Sequence, residues 1–275
     1  MGIFSSDYGK AGPGIAKNAP RKKSFFRFFD LFFRKFWKLI ALNLITFLLC
    51  LPIVTIGPAI AGMTRVIRSF TLEKSIFMMH EFWKGFKDNW KMSVPVGLVD
   101  IFVLVSVITG LYIYPRMANQ AEGNGTLFIA LCVISVSFGL TLLMMNFYIF
   151  PMIVAVDLKL LQIIKTSFFL TARALLTNLI TLLIFAVIIF LVVLGSLYNY
   201  LLLIIVPVIL LSLLCFIVVY RSYPVIQKFV INPFYEERGE ENPELLIGRS
   251  DSNVFTDKGG QEAPIAAKSK KKTIS

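Results

Sequence analysis

The 275-residue chain predicts an all-α fold, a polytopic membrane helical bundle. Five to six transmembrane helices are expected, paired as three hairpins and entered through basic amphipathic interfacial helices. Three observations lead there. Hydrophobic residues make up 57% and charged residues only 16%, against roughly 25% charge in soluble domains. Long runs carry no charge at all. The cations gather in the polar segments between those runs, which excludes an ordinary cytosolic enzyme.

The charge-free runs locate the spans. Leu39–Thr64 holds 26 residues without a charge, Gly123–Val156 holds 34 and Ala174–Tyr220 holds 47. Met92–Pro115 is broken only by Asp100. A helix crossing the hydrocarbon core needs about 20 apolar residues. Four spans follow, near Val94–Tyr114, Leu127–Phe147, Leu179–Leu197 and Leu201–Tyr220. They are helices because lipid offers backbone polar groups no partner outside a helix or a closed barrel. Barrel strands would alternate apolar and polar residues, and these runs do not.

The first run opens as a span at Phe36–Leu49. Leu51-Pro52-Ile53-Val54-Thr55-Ile56-Gly57-Pro58 then interrupts it with two prolines and a glycine, which break a helix. A second helical stretch follows near Pro58–Leu72, containing Arg65 and Arg68. The positive-inside rule decides whether the chain returns. Residues 1–38 hold nine basic and two acidic residues, and Arg65–Lys91 holds six basic residues. Pro115–Thr126 holds only Arg116 with Glu122, and Tyr198–Tyr200 holds no charge. A return near Pro58–Leu72 places every basic segment inside and every poor one outside. The alternatives are a re-entrant loop or a helix lying in the interface. Asn43-Leu44-Ile45-Thr46 recurs as Asn178-Leu179-Ile180-Thr181, a short internal echo.

The domain layout follows. Residues 1–35 form a basic, aromatic cytoplasmic segment, and 36–221 form the membrane domain. Residues 222–275 form a cytoplasmic tail with eight basic and eight acidic residues and too little apolar content for a core. Phenylalanines from Phe25 to Phe36 interleave with Arg27, Arg34, Lys35 and Lys38 beside Trp37. Immediately before a span, this pattern is an interfacial helix on an anionic inner leaflet, not a nucleic-acid patch. A second such helix is expected over Ser75–Lys91, with Met79, Phe82, Phe86 and Trp90 in one stripe and Trp83 beside it. Lys159–Arg173 is a third. Arg34, Lys35, Trp37, Lys38, Trp83 and Trp90 are therefore the expected membrane-interface residues.

Charges within a span are costly and mark candidate sites. Asp100 is the only carboxylate well inside one, with Arg65 or Arg68 as an expected partner. A lone carboxylate makes no relay, which favours a structural pair or a wet vestibule over an ion or proton site. Asn43, Asn146 and Asn178 are expected to join helices through hydrogen bonds. Cys50, Cys132 and Cys215 sit in apolar runs and read as small hydrophobes. The one histidine, His80, cannot make a zinc site alone. The sequence contains no P-loop, no HExxH and no GxSxG. No catalytic, cofactor-binding or metal-binding residue is expected, and the chain reads as a non-enzyme.

The stretches Gly12-Pro13-Gly14, Lys17-Asn18, Arg34–Ile40 with Asn43, Leu51–Ala59 and Phe86–Lys91 together resemble the YesL-like family of small bacterial membrane proteins, a domain of unknown function. The likeness is strongest over residues 12–100 and looser through Tyr220. It implies a multi-pass plasma-membrane protein, mainly of Gram-positive bacteria, with both termini cytoplasmic. Family members often accompany carbohydrate ABC importers and their sensors. The resemblance therefore implies an accessory or regulatory partner of importer permease or sensor subunits. The alternative is a small transporter or channel, its site formed near the broken LPIVTIGP segment and Asp100.

Overall fold

The computed structural model describes residues 24–120, 125–239 and 242–244. Lys22–Asn242 form one compact unit. Met1–Arg21 with Pro243–Ser275 make up a second. Nearly all of the second unit, and Glu122 in the expected outer loop, lie outside the described residues. Every regular element among the described residues is helical. They are α1 (Ser24–Leu49), α2 (Ile56–Thr71), α3 (Met78–Asp88), α4 (Trp90–Gln120), α5 (Gly125–Ala155), α6 (Leu160–Arg173), α7 (Leu175–Tyr198), α8 (Leu211–Ile226) and α9 (Asn232–Glu237).

Four stretches are long and apolar enough to cross a membrane: α4, α5, α7 and a continuous Val206–Glu236 that contains α8 and α9. They overlap the four spans read from the charge-free runs, the last lying at Val206–Glu236 where Leu201–Tyr220 was expected. Their outward faces are hydrocarbon, with Phe102 73% exposed on α4 and Leu183 65% on α7. Apolar surface on this scale fits lipid rather than water.

Local chemistry sets the boundaries. α1 stops at Leu49, two residues before Leu51, whose helical conformation Pro52 disfavours. A short 3-10 turn over Ile53–Thr55 follows, closed by the Thr55 hydroxyl donating to the Pro52 carbonyl at 2.8 Å. Pro58 falls in the first turn of α2, where its missing N–H costs nothing. The single helix expected over Ser75–Lys91 is instead two. α3 ends at Asp88 and Asn89 turns the chain, its amide donating to the Gly85 carbonyl at 2.9 Å. Trp90 and Lys91 therefore open α4. Asn and Asp favour such breaks because their side chains compete for backbone groups. At the other end, helix runs past Arg221, where the tail was expected to begin, as far as Glu237. It passes Pro224 and a π-helical turn at Gln227–Ile231.

Packing repeats three times. α2, α5 and α8 contact one another and form the core, which includes Met63, Phe70, Tyr148, Met152, Phe216 and Ile226. α1 packs on α2 and α8, and α4 packs on α5 and α2. α7 packs on α8 and reaches α5 through the Phe147–Phe185 edge contact at 5.5 Å. Each outer helix thus touches its successor in the chain and the core helix of the preceding pair. The amphipathic segments obey the same rule. α3 lies on α2 and α6 lies on α5. The N-terminal half of α1 lies on α8, where Phe28 meets Phe216 at 5.2 Å and the Tyr220 hydroxyl donates to the Ser24 carbonyl at 2.6 Å.

One clamp joins the first amphipathic segment to the end of α2. Glu73 takes a left-handed backbone conformation (φ 57°), which lets the chain leave α2. Its carboxylate accepts from Arg27 at 3.1 Å and from Arg34 at 2.9 Å. Partial burial pushes the Glu73 carboxyl up, but the two guanidinium hydrogen bonds outweigh it and hold the group below the usual carboxylate range. A carboxylate with a depressed folded-state pKa contributes stability that is fully present above its unfolded value. That contribution is lost as pH falls through the folded one. All three side chains are about half exposed, so solvent screening limits the clamp to about 0.5–1 kcal/mol. Glu73→Gln should lower the midpoint of thermal unfolding at pH 7, and the gap to the unaltered protein should narrow as pH falls below the ordinary carboxylate range. A gap that persisted unchanged in acid would show that the ion pairs contribute nothing.

Candidate functional site

Asp100 lies on α4, one turn beyond the place where α4 crosses α2. At that crossing a β-carbon added to Gly97 would sit 2.7 Å from the Gly57 backbone nitrogen. α2 runs on from Gly57 toward α3, so Arg65 is eight residues further, or about 12 Å along the helix. Neither Arg65 nor Arg68 bonds to Asp100. The carboxylate takes its hydrogen bond from Asn146 of α5 instead, Nδ2 to Oδ1 at 2.6 Å.

Both arginines are committed elsewhere. The Arg65 side chain crosses α3 over Gly85 and reaches Glu81 at 2.9 Å and Asp88 at 3.4 Å. Glu81, Gly85 and Asp88 share one face of α3 by helical spacing, and the glycine leaves the channel through which Arg65 passes. Arg68 Nε donates to the Tyr223 hydroxyl on α8 at 2.8 Å.

Asn43 of α1 is fully buried and serves the backbone of the last long helix. Its amide donates to the Pro207 carbonyl at 2.7 Å and accepts from the Ser212 N–H at 2.7 Å. Asn178, its counterpart in the repeated Asn-Leu-Ile-Thr, accepts from the Tyr148 hydroxyl at 2.7 Å and donates to the Thr171 carbonyl at 3.1 Å. Thr46 and Thr181 of the two repeats are both buried, and Thr181 accepts from Arg221 Nε at 3.0 Å. Of the five residues singled out at membrane depth, the structure therefore brings together Asp100 and Asn146. Asn43, Arg65 and Arg68 each belong to a separate contact.

Asp100 and Asn146 form the polar pole of a cavity of about 510 Å³. α2, α4, α5, α7 and α8 wall it, and its lining is otherwise almost wholly hydrocarbon, including Val103, Leu140, Phe147 and Phe185. Thr64 spends its hydroxyl on the Ile60 carbonyl at 2.7 Å and lies 3.6 Å from the Cys215 sulfur. Asn146 Oδ1 is buried and has no hydrogen-bond partner. No group of three or more metal-ligating side chains occurs among the described residues.

The expected interface residues lie on α1, on α3 and at the start of α4. Trp37 is 80% exposed, with Lys38 exposed beside it. Lys35 lies 5.5 Å from the Phe70 ring, and Arg34 holds Glu73. Trp83 and Trp90 pack edge-on against Phe86 at 5.5 and 5.3 Å and stay partly exposed. Arg221, Tyr148 and Tyr223 are the polar participants that reading the sequence missed. One signal pointed to Arg221 and Tyr223: Val66-Ile67-Arg68-Ser69-Phe70 of α2 and Val219-Tyr220-Arg221-Ser222-Tyr223 of α8 share a V-x-R-S-aromatic pattern.

No curated protein and no solved structure matches the chain. Residues 39–111, from the second half of α1 through most of α4, match a family described as protein of unknown function, DUF624. The matched stretch holds Asn43, Gly57, Arg65, Arg68, Gly97 and Asp100, and it is consistent with the YesL-like resemblance. The chain is thus similar, over that stretch, to a family with no assigned activity, and the rest of it adds further apolar helices of an integral membrane protein.

Proposed function

We propose that the chain is a multi-pass protein of a bacterial plasma membrane with both termini cytoplasmic, and serves as a non-enzymatic accessory or regulatory partner of a carbohydrate ABC import system. The supporting observation is the collar made by the N-terminal half of α1 with α3 and α6. Each docks on a core helix, α1 on α8, α3 on α2 and α6 on α5. Arg68–Tyr223, Arg221–Thr181 and the Glu73 clamp tie the helices together. A collar of cations and aromatic rings sits at the headgroups of an anionic leaflet. With α1 and α2 as the first hairpin, every cation-rich segment falls on that leaflet. The exposed Lys84 and Lys87 of α3 then face the cytoplasm, where a permease or sensor docks.

A single cysteine at Lys84, with the three native cysteines replaced, tests both parts. It should react with a membrane-impermeant maleimide only after cells are permeabilised. Crosslinking from the same position in native membranes should capture importer permease or sensor subunits. Labelling of intact cells would reverse the orientation, and capture of nothing but the chain itself would sink the accessory role.

The cavity at Asp100 and Asn146 favours a second reading, a small transporter. Pockets between bundle helices, apolar with a few converging polar groups, are common ligand sites. Loss of uptake in Asp100→Asn proteoliposomes, with normal assembly, is the result this reading requires.

A further inference from the structure

We infer that the cavity between α2, α4, α5, α7 and α8 binds a compact hydrocarbon carrying a primary ammonium head, with Asp100 and Asn146 receiving the head. This deepens the transporter reading by naming a ligand class, but it concerns binding alone.

Asp100 and Asn146 both line the cavity, with the Asn146 amide oxygen buried beside it. The Asn146 amide donates to Asp100 at 2.6 Å, which turns its own Oδ1 away as an acceptor without a partner. Both groups therefore ask for donors. No arginine or lysine among the described residues pairs with Asp100. Arg65 is held by Glu81 and Asp88, and Arg68 bonds to Tyr223. Thr64, the nearest hydroxyl on the lining, already donates to Ile60.

The walls then select among donors. A primary ammonium brings three N–H groups on one small point and a charge opposite to the carboxylate. One N–H satisfies Asp100 and another satisfies Asn146 Oδ1. A guanidinium brings five donors in a flat fork, and walls such as Val103, Leu140 and Phe185 leave most of them unmet. A quaternary ammonium has no donor for either oxygen. A hydroxyl has a single donor and no charge, and a carboxylate head is repelled by Asp100. The body must be apolar, because the lining beyond the pole is hydrocarbon. It must also be compact, because about 510 Å³ lies within the range of small-molecule pockets and well below the volume of a second helix.

The probe is tritiated adamantan-1-amine, bound to the full chain in nanodiscs of zwitterionic phosphatidylcholine, with empty nanodiscs as the background. Saturable binding above background is expected. Adamantan-1-ol should compete at least tenfold less well than unlabelled amine, and adamantane-1-carboxylate should not compete. Asp100→Asn should weaken binding at least tenfold. Leu140→Trp, which fills the cavity and leaves Asp100 untouched, should abolish it. Leu140→Trp and the competition series keep the test decisive if Asp100→Asn fails to assemble. Binding no greater than in empty nanodiscs, equal competition by the alcohol, or full binding to monodisperse Leu140→Trp would each overturn the proposal. Saturable amine binding without uptake into proteoliposomes would retire the transporter reading and leave the site standing.

Discussion

Gly57→Ala is expected to cost more stability than any other single methyl added to the described residues. A β-carbon there would overlap the carbonyl oxygen of Ser93, a backbone atom of α4. A flexible side chain can move aside, but a helix backbone moves only with its neighbours. Overpacking of side chains costs about 1–3 kcal/mol. The rigid partner places this change at about 3 kcal/mol or above, a large fraction of the stability of a marginally stable protein. Gly97→Ala meets the same crossing from the other side, 2.7 Å from the Gly57 nitrogen, and should cost slightly less. Gly139→Ala meets only the Val107 side chain, at 2.6 Å, and should be the mildest of the three. The measurement is the fraction of protein that stays monodisperse in detergent after heating. A wild-type thermal midpoint for Gly57→Ala would refute the backbone contact between α2 and α4. The consequence reaches the cavity, because this crossing sets where α4 carries Asp100 relative to α2.

The parts of the fold visible in the sequence are those that lipid imposes residue by residue. Charge-free length located α4, α5, α7 and the last long helix without any knowledge of their neighbours. Pro52 and Pro58 located the break between α1 and α2, since proline acts on its own backbone. The amphipathic stripe found α3 but not its end, because Asn89 turns the chain through side-chain bonds that competing helical propensity conceals. Pairings across the chain stayed hidden. The Gly57–Gly97 crossing follows no GxxxG spacing within one helix. Asp100 and Asn146 are 46 positions apart, and nothing local distinguishes that pairing from one with Arg65. The threefold packing was legible only in part, as the Asn-Leu-Ile-Thr echo of α1 and α7. In the middle pair the corresponding helix, α4, approaches its neighbour through Gly97 rather than through a buried asparagine. Close backbone contact there does the joining that an amide does in the other two pairs.

The second large effect is expected at one of those amides. Val206–Leu210 is a π-helical turn containing Pro207, and the turn leaves backbone groups outside the regular ladder. Asn43 takes them up. Its Nδ2 donates to the carbonyls of Val206 at 3.3 Å and Pro207 at 2.7 Å, and its Oδ1 accepts from the Ser212 N–H at 2.7 Å. In lipid no water replaces such bonds. A buried group left without its partner costs about 1–3 kcal/mol in general, and interhelical bonds in membranes average nearer 0.6. One orphaned N–H and at least one orphaned carbonyl place Asn43→Leu at roughly 3 kcal/mol. Pro207→Ala added to that variant should recover part of the loss, about 1 kcal/mol. A regular helix then becomes possible, and the Val208 carbonyl can take the Ser212 N–H. The same Pro207→Ala change in the unaltered protein should gain nothing, because Asn43 already satisfies the turn. A double-mutant cycle from thermal midpoints reads the difference. Additive effects would mean that Asn43 and the proline turn are energetically separate, and that α1 is held to the last helix by packing alone.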